Sequence, residues 1–303
     1  MSMIIIRISG GLGNQMFQYA AGLAISLHNN AEFLLDLSFF KKCDFGDTKR
    51  DFYLNNFNIS GNIAKDSDIA GIGLPNMTKK DILSKSKRKL FRITEYFKPI
   101  YRKKIIIEPY FHFCPDILKI KKNCYLSGVW QSEKYFKNIK NIIRKEFTLK
   151  NEPNIKLTNW IKIINKYNSI SLHIRRGDYI NSQKTNQFHG VCSLSYYYSA
   201  IEKILSRVTN PYFFIFSDDI DWAKNNLKIK SPAIFAGGNG IADYEELILM
   251  SKCKHNIIAN SSFSWWGAWL NENKDQIVIS PKEWFNVKNI NTSDLIPERW
   301  III

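Results

Sequence analysis

At 303 residues the chain is longer than one hydrophobic core usually serves, and its 45% hydrophobic and 23% charged residues exclude a disordered chain and favour two domains. The formal net charge of +16 points to an anionic partner: nucleic acid, a phosphorylated ligand or an acidic membrane surface. Five cysteines, Cys43, Cys114, Cys124, Cys192 and Cys253, form no CxxC pair, which favours free thiols in a reducing compartment over a disulfide framework or a zinc site.

The opening residues MSMIIIRISGG lack a basic leader region, and their apolar run is too short for a secretion signal or a membrane span. The expected location is therefore cytoplasmic, with peripheral contact at the inner face of the membrane left open. Ile4 to Ile8 reads as a buried strand entering a turn at Gly10-Gly11. The alanine-rich stretch QMFQYAAGLAISLHNN follows Asn14 at helical spacing, and EFLLDLS reads as a second strand, which completes a β-α-β unit.

From about 43 to 153 the pattern loosens, although CYLSGVWQSEKYF looks like a strand turning into a helix. The stretch 79–104, KKDILSKSKRKLFRITEYFKPIYRKK, interleaves basic and apolar residues. It reads either as a solvated helix face or as a surface for anionic membrane. From residue 168 onward, strands NSISLHIRR, YFFIF, AIFAG, HNIIAN and QIVIS alternate with helical segments. Near-continuous apolar strands of this kind imply a parallel sheet covered on both faces. Two doubly wound α/β domains follow, split near residue 155, with ligands expected at the carboxyl ends of the strands.

In SISLHIR, alternation puts Ser171, His173 and Arg175 on one face. Arg176 points the other way, Gly177 permits a sharp turn, and Asp178 either accepts hydrogen bonds from that turn or pairs with an arginine. A guanidinium matches phosphate oxygens in bidentate fashion, so Arg175 suits a diphosphate; a structural Arg-Asp pair is the plainer alternative. In NIIANSSFSWWGAWL, Ser261 and Ser262 stand at a helix N-cap, where free N–H groups form an anion site or an ordinary cap. Trp265, Trp266 and Trp269 read as core packing, whereas Phe263, nearest the cap, is a candidate ligand contact. GGLGNQ matches the dinucleotide fingerprint only in part, because Met16 stands where the third glycine belongs. Its amides Asn14 and Gln15 suit hydrogen bonding to a sugar or phosphate. Asp219-Ile220-Asp221 spells a DxD, but capping by Ser217, Asp218 or Asp219 is the commoner use of such acids, so no metal is expected. His189, in QFHGVCS, could face the cleft or lack a duty.

Taken in order, GGLGNQMFQYA, HIRRGDY, FSDD and NSSFSWWGAWL closely resemble the motifs of bacterial galactoside α-1,2-fucosyltransferases, glycosyltransferase family 11. The resemblance runs from about Ile4 to Phe285. It implies a GT-B architecture of two facing Rossmann-like domains: 1–155 on the acceptor side, 156–285 binding the GDP-sugar, and 286–303 an extension without an assigned place. It further implies transfer of L-fucose, with inversion, from GDP-β-L-fucose to the 2-hydroxyl of a β-galactoside in a surface glycan such as O-antigen or capsule. No metal or cofactor is implied. By position, Arg175 would bind the β-phosphate and stabilise the departing GDP, supported by His173 and Arg176. Asn14 would approach the donor from the first domain, and Ser261, Ser262 and Phe263 would line the phosphate and nucleoside site. Glu246 stands where the family usually has an aspartate facing the guanine edge. Asp178 and His189 are the candidates for the base, and His189 and Gln15 lie on the acceptor side. A GDP-6-deoxyhexose transferase acting on another hydroxyl is the near alternative. An NAD- or FAD-dependent oxidoreductase leaves HIRRGD unexplained, and no recognised nucleic-acid motif accompanies the charge.

Overall fold

Ile4, Ile5 and Ile6 are fully buried, as a strand flanked on both sides requires. They form the centre of β1 (Met3–Arg7). In the computed structural model, residues 2–41, 50–72, 89–91, 93–181, 183–237 and 240–303 are described, the side chains of Asp178, Asn181 and Lys184 aside. Cys43 and positions 79–88 and 92 of the basic stretch lie outside them. The chain divides into two units, Met1–Thr148 with Ser293–Leu295 and Leu149–Thr292 with Ile296–Ile303.

In the first unit, β2 (Glu32–Asp36), β3 (Asn62–Ile63), β4 (Ile105–Ile107) and β5 (Cys124–Ser127) join β1 in the order β3-β2-β1-β5-β4. All pairings are parallel. Gly10 adopts φ +75, a left-handed conformation that lets the chain reverse from β1 into helix α1 (Leu12–His28). CYLSGVWQSEKYF departs from expectation after its strand. The Glu108 carboxylate accepts hydrogen bonds from the amides of Val129 (2.6 Å) and Trp130 (3.0 Å), and Trp130 is held at φ +55. A left-handed residue stops regular structure, so a 3-10 turn, Glu133–Tyr135, follows in place of an α-helix.

In the second unit, β6 (Asn168–Ile174), β7 (Pro211–Ser217), β8 (Ala233–Phe235), β9 (His255–Ile257), β10 (Val278–Ser280) and β11 (Ile301–Ile302) stand in the order β11-β10-β9-β6-β7-β8. These strands are parallel too. One face of β6, through Ile170, Leu172 and Ile174, packs against Tyr197, Ile201 and Ile204 of helix Leu194–Leu205 and Ala223 of helix Ile220–Asn226. On the other face Asn256 donates to Ser171 Oγ (2.6 Å) and to the Met250 carbonyl (2.8 Å), so this buried polar layer is satisfied internally. Both units are therefore parallel-sheet α/β folds of the class the sequence pattern demands. Strand β11 extends the second sheet beyond QIVIS. The four described cysteines are unbridged, and no helix among the described residues is long and apolar enough to cross a membrane.

Candidate active site

Strand order in the second unit reverses between β6 and β9: the chain runs from β6 outward to β8, then returns to place β9 on the other side of β6. Carboxyl ends of parallel strands diverge at such a reversal and open a crevice. Two sequence segments meet there, His173 to Asp178 after β6 and Asn260 to Phe263 after β9. His173 is 3% exposed; burial, and then the neighbouring Arg175 charge, push its imidazole down to about 3. It is neutral at working pH, its Nδ1 has no hydrogen-bond partner among the described residues, and its ring lies 5.6 Å from that of Phe263.

The two arginines divide as their opposite faces require. Register pairs Ile174 with Ser217, so residues just beyond β6 meet Asp218 and Asp219 just beyond β7. Arg175 Nη1 lies 3.1 Å from Asp218 Oδ2, and its guanidinium sits 5.6 Å from the Tyr179 ring. Arg176 donates its amide to Asp218 Oδ1 (2.8 Å), pairs through Nε with Asp219 Oδ2 (3.3 Å) and stacks 3.6 Å from the Trp222 ring. Asp219 also caps helix Ile220–Asn226 through Trp222 N, so the first acid of the DxD is committed to helix and arginine. Gly177 serves less as a turn residue than as a gap. A Cβ there would meet Asp218 Oδ2 at 2.8 Å, and the chain runs on into the short helix Gly177–Asn181.

Arg175 lines a cavity of about 380 Å³ together with His173, Ser217, Asp218, Ile220, Ile241, Asp243, Glu246 and Phe263. Arg176 does not. Asp243 and Glu246 come from the first turn of helix Asp243–Lys252, and Gly237 leaves room for the Glu246 carboxylate, 3.1 Å from where a Cβ would stand. Carboxylates outnumber the guanidinium on this lining. Asp218 is spent on Arg175, and the other two can only accept, which suits N–H and O–H donors of a base or ribose rather than phosphate. Ser261 is the N-cap of helix Ser262–Trp269 and makes no side-chain capping bond; neither it nor Ser262 lines the cavity. Trp265, Trp266 and Trp269 are buried in mutual ring contact, the core role expected of them.

In the first unit, Asn14 Oδ1 accepts from Gln131 Nε2 (2.9 Å). Gln15 is fully buried. Its amide donates to the carbonyls of Gly10 (2.9 Å) and Asp51 (2.8 Å) and accepts from Tyr53 N (2.9 Å). The acceptor-side reading of Gln15 thus gives way to a structural one, since its donors are consumed by backbone. His189 stacks on Tyr179 at 4.8 Å and 11° and faces a second cavity of the second unit. The Asp178 side chain lies outside the described residues. Sequence reasoning missed Asp218 and Asp243 as lining residues; the strand register Ile174 to Ser217 is the signal that finds Asp218.

The family model for glycosyl transferase family 11 matches residues 3–303. The chain belongs to glycosyl transferase family 11. Among its relatives, an alpha-1,2-colitosyltransferase of Escherichia coli is 36% identical over 100% of this chain and 99% of that protein. The O-antigen biosynthesis glycosyltransferase WbnK of Escherichia coli is 37% identical over 97% and 98%. Among solved structures, fucosyltransferase NodZ from Bradyrhizobium is similar with a TM-score of 0.50 at 11% identity, over 88% of this chain and 92% of that one. At that identity the likeness speaks for the fold alone.

Proposed function

We propose that this family 11 enzyme is an inverting transferase that moves L-fucose from GDP-β-L-fucose to the 2-hydroxyl of a β-galactoside in a surface glycan such as O-antigen, without a metal. The observation that carries the reading is Arg175. It emerges at the strand-order reversal, lines the cavity of about 380 Å³ beside His173 and Phe263, and is held by Asp218. As the glycosidic bond to GDP breaks, the sugar takes on oxocarbenium character and the diphosphate gains negative charge. Arg175 stabilises that charge in place, with no reorganisation at the moment of reaction. Neutral His173 adds no competing charge, Arg176 braces the turn, and Phe263 with Glu246 receives the nucleoside. Ser261 and Ser262 offer the helix N-terminus to a second phosphate. Asp178 and His189 remain the candidates for the proton acceptor.

The relation to an alpha-1,2-colitosyltransferase over the full chain favours a second reading of the donor, in which another deoxyhexose takes the place of fucose at the same linkage. Incubation of the protein with GDP-fucose and a panel of galactosides, in the presence of a chelator, followed by linkage analysis, separates the two. An α-1,2-fucosylated galactoside is the expected product. No fucosylated product from any galactoside, with transfer from another GDP-deoxyhexose, would replace fucose in this account.

A further inference from the structure

The carboxyl edge of the second sheet carries a further cavity, of about 290 Å³, on the β9 and β10 side of the strand reversal. Hydrogen bonds within the second unit hold its floor together. Asn260 Nδ2 donates to the carbonyls of His189 (2.9 Å), Gly190 (3.3 Å) and Trp284 (3.3 Å), and Tyr196 Oη donates to the Ile258 carbonyl (2.6 Å). One wall is aromatic, with the rings of His189 and Phe285 5.4 Å apart. The rim carries Lys282 and Glu283, both exposed, whose side chains make no ion pair or hydrogen bond with the described residues.

We infer that this cavity is a subsite for a neutral saccharide, the sugar of the glycan acceptor; the inference rests on the transferase reading above. The one cationic and one anionic side chain of the lining, Lys282 and Glu283, balance each other, so no excess of positive side chains is there to hold a phosphate or nucleotide. An aromatic face with a negative quadrupole meets the polarised C–H groups of a sugar ring. A carboxylate accepts from two neighbouring hydroxyls, and an ammonium donates to a ring or hydroxyl oxygen. A preformed floor with its own polar groups satisfied adds little ordering cost on binding. The position fits as well. Arg175 lies against the buried Tyr179, Tyr179 stacks on His189, and His189 meets Phe285, so a chain of packed rings connects Arg175 with this cavity, although Tyr179 itself lines neither cavity.

The test is saturation-transfer NMR and calorimetry with lactose on the full chain saturated with GDP, comparing wild type with Glu283→Gln and Phe285→Ala. Lactose binding should weaken about ten-fold in each variant, about 1.4 kcal/mol, while the Kd for GDP stays within about two-fold, well under that amount. Phe285→Ala also removes packing against Phe188, so Glu283→Gln, at an exposed carboxylate, carries the test alone if the former does not fold. Lactose bound equally well with and without Glu283, in protein that binds GDP normally, overturns the subsite alone. A wild-type protein indifferent to GDP overturns the donor reading instead.

Discussion

Gly177→Ala replaces one hydrogen by a methyl group and leaves every charged group in place. The added carbon would stand 2.8 Å from Asp218 Oδ2 and 3.1 Å from its Cγ, so the carboxylate must move. Asp218 holds the Arg176 amide at 2.8 Å and the Arg175 guanidinium at 3.1 Å, the two side chains being 22% and 24% exposed. The bond to the amide has a charged acceptor and contributes about 1.5–3 kcal/mol; the partly solvated ion pair adds no more than about 1 kcal/mol. Their loss comes to about 3 kcal/mol, or roughly 6–12 °C in the Tm of a unit this size. The GDP affinity should fall with it, because Arg175 loses the carboxylate that aims it. Differential scanning fluorimetry and a GDP titration read both quantities. A variant with wild-type Tm and wild-type GDP affinity would refute the idea that Asp218 organises the arginine turn.

Gln15→Ala should destabilise the protein by about 2–4 kcal/mol in urea unfolding, since it leaves the carbonyls of Gly10 and Asp51 and the amide of Tyr53 without their buried partner; a loss below about 0.5 kcal/mol, the range of an ordinary surface change, would contradict its clamping part. Burial pushes the Glu108 carboxyl up to about 7 against backbone hydrogen bonds that pull it down, from an ordinary value of 4.5. A carboxyl raised in the folded state favours folding when protonated, so its contribution is largest below pH 4.5 and declines as pH rises to about 7. The stability difference between wild type and Glu108→Gln should therefore shift toward the variant by about 3 kcal/mol between pH 4.5 and 7.5, and a difference independent of pH would refute it. His173 behaves oppositely: depressed to about 3, it favours folding above pH 6.5 and loses that contribution as pH falls. Its NMR ring resonances should stay constant from pH 8 to 5, and an inflection near pH 6.5 would overturn its neutral assignment.

The β6, β7, β9 and β10 strands were legible because buried parallel strands write continuous apolar runs, and the HIRR segment was legible because alternation along a strand fixes which arginine faces which way. The two arginine partners were harder. Asp218 and Asp219 lie 43 residues from their arginines, and only the pairing of β6 with β7 brings them together. Gln15 misled for a related reason: an amide in the first turn of a helix reads as ligand-facing, and nothing local announces that Asp51 and Tyr53 will fold over it. The break after β5 had no local signal either, because a tryptophan at positive φ is set by the Glu108 carboxylate and not by its own preference. Composition speaks of an anionic partner without distinguishing nucleotide from membrane.

The proposed function rests on the grip of Arg175 on the diphosphate of a GDP-sugar. Its most direct test is the Tm of wild type and Arg175→Ala with GDP, GMP and guanosine, in the presence of a chelator. GDP should stabilise the wild type by about 2.7 kcal/mol at a hundred times Kd, guanosine much less, and Arg175→Ala should lose nearly all of the GDP effect. Equal stabilisation of wild type and variant by GDP, or none of either, would contradict it.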